Sequence, residues 1–306
     1  MVWYTMLKKE KLVMEGETFG EIFSSFRQKK GYTVKETAEN IVSVQFLRRF
    51  EKGESDITLT NFYELLNRIN VSFEEFMFES QKDSVDAMVE NIEQQLDQFL
   101  FEQNTLKFRR LIDYLDENYI RTGNKRYKHI SVVAQGMYDH YFFETYRPDS
   151  KELEDYLLQC ETWGKYEFFL ACYSTFLFNN ETLVILAEQS FRRKVKSRST
   201  RHYFIDFYLQ VCQKLIRKDD CDIADRLLKK YETEEDIRPI LQYLSFNVFA
   251  KYLRGLLQIK KGDERGREVC EQIINFFDKS IDYQGYASGL HRLYLKIYME
   301  SPLVVK

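Results

Sequence analysis

The sequence predicts an all-α protein, and three observations carry that prediction. Only 3 prolines and 12 glycines interrupt 306 residues, so little breaks a long helix. Apolar residues recur at three- and four-residue spacing along most of the chain, the period of a helix with one buried face. Hydroxyl residues are followed three positions later by a carboxylate at Thr18 and Glu21, Thr33 and Glu36, and Ser72 and Glu75, the reciprocal pairing that opens a helix. With 44% hydrophobic and 16% aromatic residues, the chain can bury more than one core.

Residues 1–15 read as an N-terminal extension with no place in a bundle, Met14 serving equally well as a start. Residues 16–80 read as five short helices. The first runs from Thr18 to Lys30 and stops at Gly31, the second from Thr33 to about Asn40, and the third from Ser43 to Lys52, before Gly53. A fourth begins near Thr58 or Thr60, and a fifth follows Ser72. The polar stretch ESQKDS at 79–84 marks a boundary. Beyond it, residues 84–306 carry longer periodic segments at 85–101, 104–119, 127–142, 151–162, 165–178, 181–194, 201–216, 220–230, 238–260, 263–278 and 284–299. Consecutive helix pairs of roughly 40 residues, each too small to bury its own apolar face, predict a TPR-like α-solenoid. No strict repeat consensus overlays it.

Composition also excludes classes of function. No apolar run reaches the length of a membrane span, and charges break up the first residues, so neither a membrane segment nor a secretory signal is expected and the cytoplasm is the expected compartment. The five cysteines lack paired spacing and read as free thiols. The four histidines are isolated and no glycine-rich phosphate loop is present, so no enzyme chemistry, no metal and no cofactor are expected.

The net charge of -3 does not announce a nucleic-acid binder, yet charge is unevenly placed. Ser24 to Gly53 holds seven basic residues against three acidic ones, a focused patch that can attract an anion. Within it lies SVQFLRRFEKGES, residues 43–55. On a helix, Leu47 and Phe50 share one face, Gln45, Arg49 and Lys52 lie opposite, and Arg48 sits at the edge. Gln and Arg side chains can make paired hydrogen bonds to adenine and guanine, and Lys or Arg can neutralise phosphates. Phe46, at the boundary, is either a core residue or a contact for a thymine methyl. The preceding helix and the turn IVS complete a helix-turn-helix, whose second helix enters the major groove while Thr33, Thr58 and Thr60 are placed for phosphate oxygens.

Residues 26–77 resemble the helix-turn-helix of the lambda-repressor (Xre) class and, more closely, the N-terminal domain of the Rgg/MutR regulators. The matching pieces are Arg27 with Gly31, then TVKETA, then SVQFLRRFEKGESDITL, then LLNRINVSFEEF. The resemblance implies an ion pair between Arg27 and Glu51 that locks the recognition helix and brings an arginine near the DNA backbone. It also implies base and backbone contacts at Ser43, Val44, Gln45, Phe46, Arg48 and Arg49. YLLQCETWGKYEFFLACYSTFLFNN, residues 156–180, looks like a stretch of the C-terminal region of the same family. Position 45 is Gln, so the intersubunit cysteine of some members is unmatched there.

A solenoid offers a surface for an extended peptide or protein. Tyr166, Phe169, Tyr173, Tyr203, Phe207, Tyr208, Tyr243, Phe246 and Tyr252 fall at helical spacing; most such aromatics pack in a core, and a minority line a groove. Arg192, Arg193 and four further basic residues up to Arg201 form a run without an acid, either a solvated loop or a site for a peptide carboxylate. Asn179, Asn180 and Asn247 are candidates for the backbone of a peptide or for helix caps. Resemblance to Rgg proteins implies a homodimer on double-stranded operator DNA, governed by a short, largely apolar signalling peptide that shifts the population of dimer arrangements. A helical domain that only dimerises or contacts RNA polymerase is the alternative.

Overall fold

A computed structural model describes residues 18–80, 85–143, 149–192, 198–234 and 241–304 of the chain. The expected extension at 1–15 and positions 193–197 of the basic run lie outside the described residues. Among those described there are sixteen α-helices and no strand. None of these helices is long and apolar enough to cross a membrane. The chain divides into two compact units, ending at Met88 and beginning at Val89.

The first unit contains α1 (Phe19–Lys29), α2 (Val34–Ala38), α3 (Val44–Glu51), α4 (Leu59–Arg68) and α5 (Phe73–Glu79). Each starts behind a hydroxyl N-cap, at Thr18, Thr33, Ser43, Thr58 and Ser72, and the three expected capping boxes all close. Thr58 is the cap of α4; Thr60 lies inside its first turn. α2 stops at Ala38, two residues early, because Asn40 takes a left-handed conformation with φ of 61°.

Aromatic side chains fill the middle of this unit. Phe62 meets Phe76 edge-on at 4.8 Å and Phe50 edge-on at 5.9 Å, and Phe23 lies 6.0 Å from Phe50. Such pairs contribute about 0.5–1.5 kcal/mol each beyond the area they bury. Phe50 therefore ties α3 to α1 and α4 at once.

The second unit begins within α6 (Val85–Phe101); α7 (Thr105–Thr122) and α8 (Lys125–Phe142) are followed by α9 (Lys151–Gln159), α10 (Lys165–Tyr173), α11 (Asn180–Arg192), α12 (Arg198–Arg217) and α13 (Cys221–Glu232). A 3-10 turn at Leu241–Tyr243 leads into α14 (Leu244–Lys260); α15 (Arg265–Asn275), a π turn at Phe276–Ser280 and α16 (Gln284–Met299) complete the chain. Every second helix stacks: α8 on α10, α10 on α12, α12 on α14 and α14 on α16. The intervening helices pack against this row, as α11 and α13 do on α12. Alternate stacking buries a face that no single helix pair could cover, which is the helical-repeat arrangement the periodicity predicts.

Candidate nucleic-acid interface

The helix-turn-helix is α2, α3 and the turn between them. At the turn, the amides of Ile41 and Val42 both donate to the Ala38 carbonyl, and Ser43 then caps α3 by accepting from the Phe46 amide at 3.1 Å. In α3, Leu47 is fully buried and Phe50 nearly so. Gln45, Arg48, Arg49 and, just past the helix, Lys52 are exposed. Among the described residues none of these three cations has a carboxylate partner within the domain. Val44 and Phe46 are partly buried and pack on the core cluster, so Phe46 sits at the edge of the core with part of its ring in solvent.

The position of α3 is fixed by a buried ion pair. Arg27 reaches Glu51 with two parallel bonds, Nε to Oε1 at 2.5 Å and Nη2 to Oε2 at 2.9 Å. Its remaining Nη1 donates to the Tyr32 carbonyl at 2.7 Å, and Ser24 donates to Glu51 at 3.2 Å. This is the clamp that the resemblance implied. Arg27, also expected near the DNA backbone, has a side chain only 8% exposed, and its Nε, Nη1 and Nη2 each donate within the domain.

The hydroxyls expected at phosphates differ among themselves. Thr33 donates to the Glu36 carboxylate at 2.6 Å and accepts from the Glu36 amide at 3.2 Å. The Thr33 hydroxyl, and then the Thr33 amide that donates to the same carboxylate at 2.8 Å, hold Glu36 below the usual carboxylate range, so a phosphate at Thr33 would meet a bound negative charge, and Thr33 serves the helix start. Ser43 and Thr58 use their oxygens only as acceptors, from Phe46 and Asn61, leaving their hydrogens for an incoming anion. Thr60 is exposed.

Two residues of the site escaped sequence reasoning. Arg68, on α4, donates to the Glu36 carbonyl at 2.9 Å and the Glu39 carbonyl at 3.1 Å, capping the C-terminal end of the five-residue α2. Gly20, on α1, lies where α1 crosses the end of α3. Neither has a local signal, since each partner is about thirty residues away in sequence.

The aromatics proposed as ligand contacts mostly turn out to be core. Phe169, Phe207 and Tyr208 are 0% exposed and Tyr243 1%; Tyr208 spends its hydroxyl on the Leu227 carbonyl at 3.0 Å. Tyr203 is also buried, with its hydroxyl on Glu93 at 2.5 Å. Tyr166 is half-buried and meets His129 Nδ1 at 3.1 Å. Asn247 accepts from Tyr231 at 2.9 Å, and the exposed Arg192 faces Glu188 at 3.9 Å. What the fold does bring together is Tyr173 and Tyr203 with Glu93 and Asp97, the Tyr173 hydroxyl lying 3.0 Å from Asp97 and 3.3 Å from Glu93. Burial pushes the nearby Asp206 carboxyl up to about 6, and Glu93 and Asp97 add to the effect. Among the described residues no three His, Cys, Asp or Glu side chains gather as metal ligands.

Residues 121–289 match the family described as HTH-type transcriptional regulator Rgg, C-terminal domain, and residues 24–76 match the Helix-turn-helix family. The chain is similar to the Streptococcus dysgalactiae SHP pheromone receptor Rgg2, at 20% identity over 91% of this chain and 99% of that one, with a TM-score of 0.77. It is similar to a Listeria monocytogenes EGD-e protein described as a transcriptional regulator, at 22% identity over 92% and 97% of the two chains, TM-score 0.75. PrgX in its complex with cCF10 follows at 16% identity, coverage of 92% and 93%, and a TM-score of 0.67. These likenesses establish a shared fold over nearly the whole chain.

Proposed function

Because the chain belongs to the Rgg family of helix-turn-helix transcriptional regulators, we propose that it binds double-stranded operator DNA as a homodimer and that its helical domain takes a short signalling peptide that alters this binding. On this reading it is a regulator and not an enzyme, and it works in the cytoplasm. The carrying observation is α3 itself. Gln45, Arg48, Arg49 and Lys52 stand exposed on a helix whose other face is anchored by Leu47 and Phe50 and whose end is held by Arg27 and Glu51. A rigid helix bearing unpaired guanidinium groups suits the major groove, where arginine reads guanine and glutamine reads adenine. Ser43 and Thr58, with hydroxyl hydrogens to spare at helix starts, suit the flanking phosphates.

The peptide half of the proposal is supported by similar structures described as an SHP pheromone receptor, as a bacterial peptide pheromone/receptor complex and as a PrgX/cCF10 complex. A peptide can shift DNA binding only if it prefers one arrangement of the dimer.

The test is selection of binding sites from randomised duplex oligonucleotides with the purified full-length protein, followed by anisotropy on the selected site. The proposal expects two related half-sites about one helical turn apart and an Arg49→Ala variant that folds normally but binds at least about tenfold more weakly. Failure to enrich any sequence, or an unchanged affinity in Arg49→Ala, would overturn the DNA half. Retained DNA affinity in the presence of every secreted-peptide candidate would overturn the peptide half.

A further inference from the structure

One face of α6 carries charge that no ammonium or guanidinium group among the described residues answers. Glu93 and Asp97 stand one turn apart on it, and the next turn brings Leu100 and Phe101 to the same side. The hydroxyls of Tyr173 and Tyr203 bridge the two carboxylates to α10 and α12. Asp206 of α12 joins them; it accepts from the Gln210 amide at 2.9 Å, and its carboxyl is raised by burial with Glu93 and Asp97 close by. Among the described residues, Glu93, Asp97 and Asp206 have no ammonium or guanidinium partner, whereas Glu90 one turn earlier is paired with Lys165. Neutral donors from tyrosine and glutamine are what the cluster has instead. Arg217 of α12 acts on the Tyr141 phenol, Asp206 acts on Tyr286 of α16, and Lys165, the partner of Glu90, lies 5.9 Å over the Tyr203 ring.

Directly beyond the cluster lies an apolar cavity of about 330 Å³, lined by Leu100, Phe101, Gln103, Tyr141 and Phe142. Phe101 is 91% exposed and Tyr141 57%. The Tyr141 phenol feels Asp97 as well as Arg217, so cavity and carboxylates adjoin. A large aromatic left in solvent beside an open apolar cavity is the signature of a surface that something covers.

We infer that this stripe of α6 receives the peptide, and that the peptide it selects joins an apolar side chain seated against Phe101 and Tyr141 to a cationic group, an N-terminal ammonium or a Lys or Arg side chain, facing Asp97, Glu93 and Asp206. The inference rests on the proposed peptide binding and adds its place and its charge. Charge complementarity carries it: a cation entering the cluster meets partly desolvated carboxylates that have neutral donors but, among the described residues, no cationic partner, while an acidic peptide end adds a like charge. It also replaces the basic run near Arg192 as the expected electrostatic determinant.

The experiment incubates the full-length protein with a synthetic octapeptide library that has a randomised apolar core and, at each end position, Lys, Arg, Gln, Asp or Glu, with free or acetylated N-termini; retained peptides are identified by mass spectrometry. Peptides with a Lys, an Arg or a free amine are expected to exceed their Asp and Glu counterparts by about tenfold or more, a gap of one decade in affinity. The Asp97→Asn/Asp206→Asn variant should keep apolar peptides and lose the charge bias, and Phe101→Ala should weaken retention of all of them. Enrichment of acidic peptides, or no charge bias in the wild-type protein, overturns this inference and leaves peptide binding standing. Retention of no peptide by the wild-type protein overturns the peptide-binding reading and this inference with it. The wild-type result decides the matter even if a variant fails to fold.

Discussion

Gly20 and Phe50 approach so closely that a Cβ built on Gly20 would lie 1.7 Å from the Phe50 carbonyl oxygen. Phe50 is the last apolar anchor of α3, and α1 can cross the end of that helix only because Gly20 has no side chain. The placement of the recognition helix thus depends on a residue outside the helix-turn-helix.

Gly20→Ala is expected to push α1 and α3 apart and to destabilise the N-terminal unit by about 2–4 kcal/mol, since the clashing atom is backbone and cannot rotate away. Chemical denaturation read on the N-terminal unit checks this. A change below about 0.5 kcal/mol would contradict it.

Removing one partner of the Arg27–Glu51 pair leaves an uncompensated charge in a site where both side chains are 8% exposed. Arg27→Ala is expected to cost about 3–5 kcal/mol, and the apolar pair Arg27→Met with Glu51→Leu should recover much of that loss. A double-mutant cycle in urea measures the difference. Equal destabilisation by the single and double variants would show that the pair is not the clamp.

Arg68→Ala leaves the carbonyls of Glu36 and Glu39 without their cap. A loss of about 1–3 kcal/mol is expected, with part restored in Arg68→Lys, whose ammonium keeps a single donor nitrogen but not the planar fork. Hydrogen exchange of α2 amides should rise more in Arg68→Ala than exchange in α4.

Stability should also depend on pH through Asp206. Burial, then the nearby Glu93, raises its carboxyl to about 6 in the folded chain, against a value near 4 in an unfolded one. The folded state binds the proton more tightly, so the stability this group contributes is complete below pH of about 4 and is lost as pH rises through about 6. The difference in stability between wild type and Asp206→Asn is expected to change by on the order of 2 kcal/mol between pH 4.5 and pH 7, the variant being favoured at the higher pH. Parallel pH profiles from thermal unfolding would contradict this.

Local signals were legible in the sequence, and distant ones were not. Thr18, Thr33 and Ser72 announce their helices through a carboxylate three residues on, and all three capping boxes close, because that chemistry is complete within one turn. Leu47 and Phe50 on one face of α3, with Gln45, Arg49 and Lys52 on the other, follow from helical periodicity alone. Asn40 ends α2 early by adopting a positive φ, which an asparagine permits but does not require. Arg27 and Glu51 were found through resemblance, since nothing local relates residues 24 positions apart. The helical domain shows the limit most plainly. Tyr173 and Tyr208 look alike by spacing, yet one is half-buried on Asp97 and the other is 0% exposed. In a stack of helices both faces of one helix are apolar, so periodicity does not separate a lining residue from a buried one.

On the proposed function, the exposed face of α3 reads bases. The most direct measurement is the affinity of wild-type protein and of Gln45→Ala, at fixed salt, for every single-base variant of the selected operator. Gln45→Ala is expected to relax discrimination at one base pair in each half-site, by about 1–3 kcal/mol, and to leave the other positions as they were. A uniform loss of affinity across all sequences, or discrimination unchanged at every position, would contradict it.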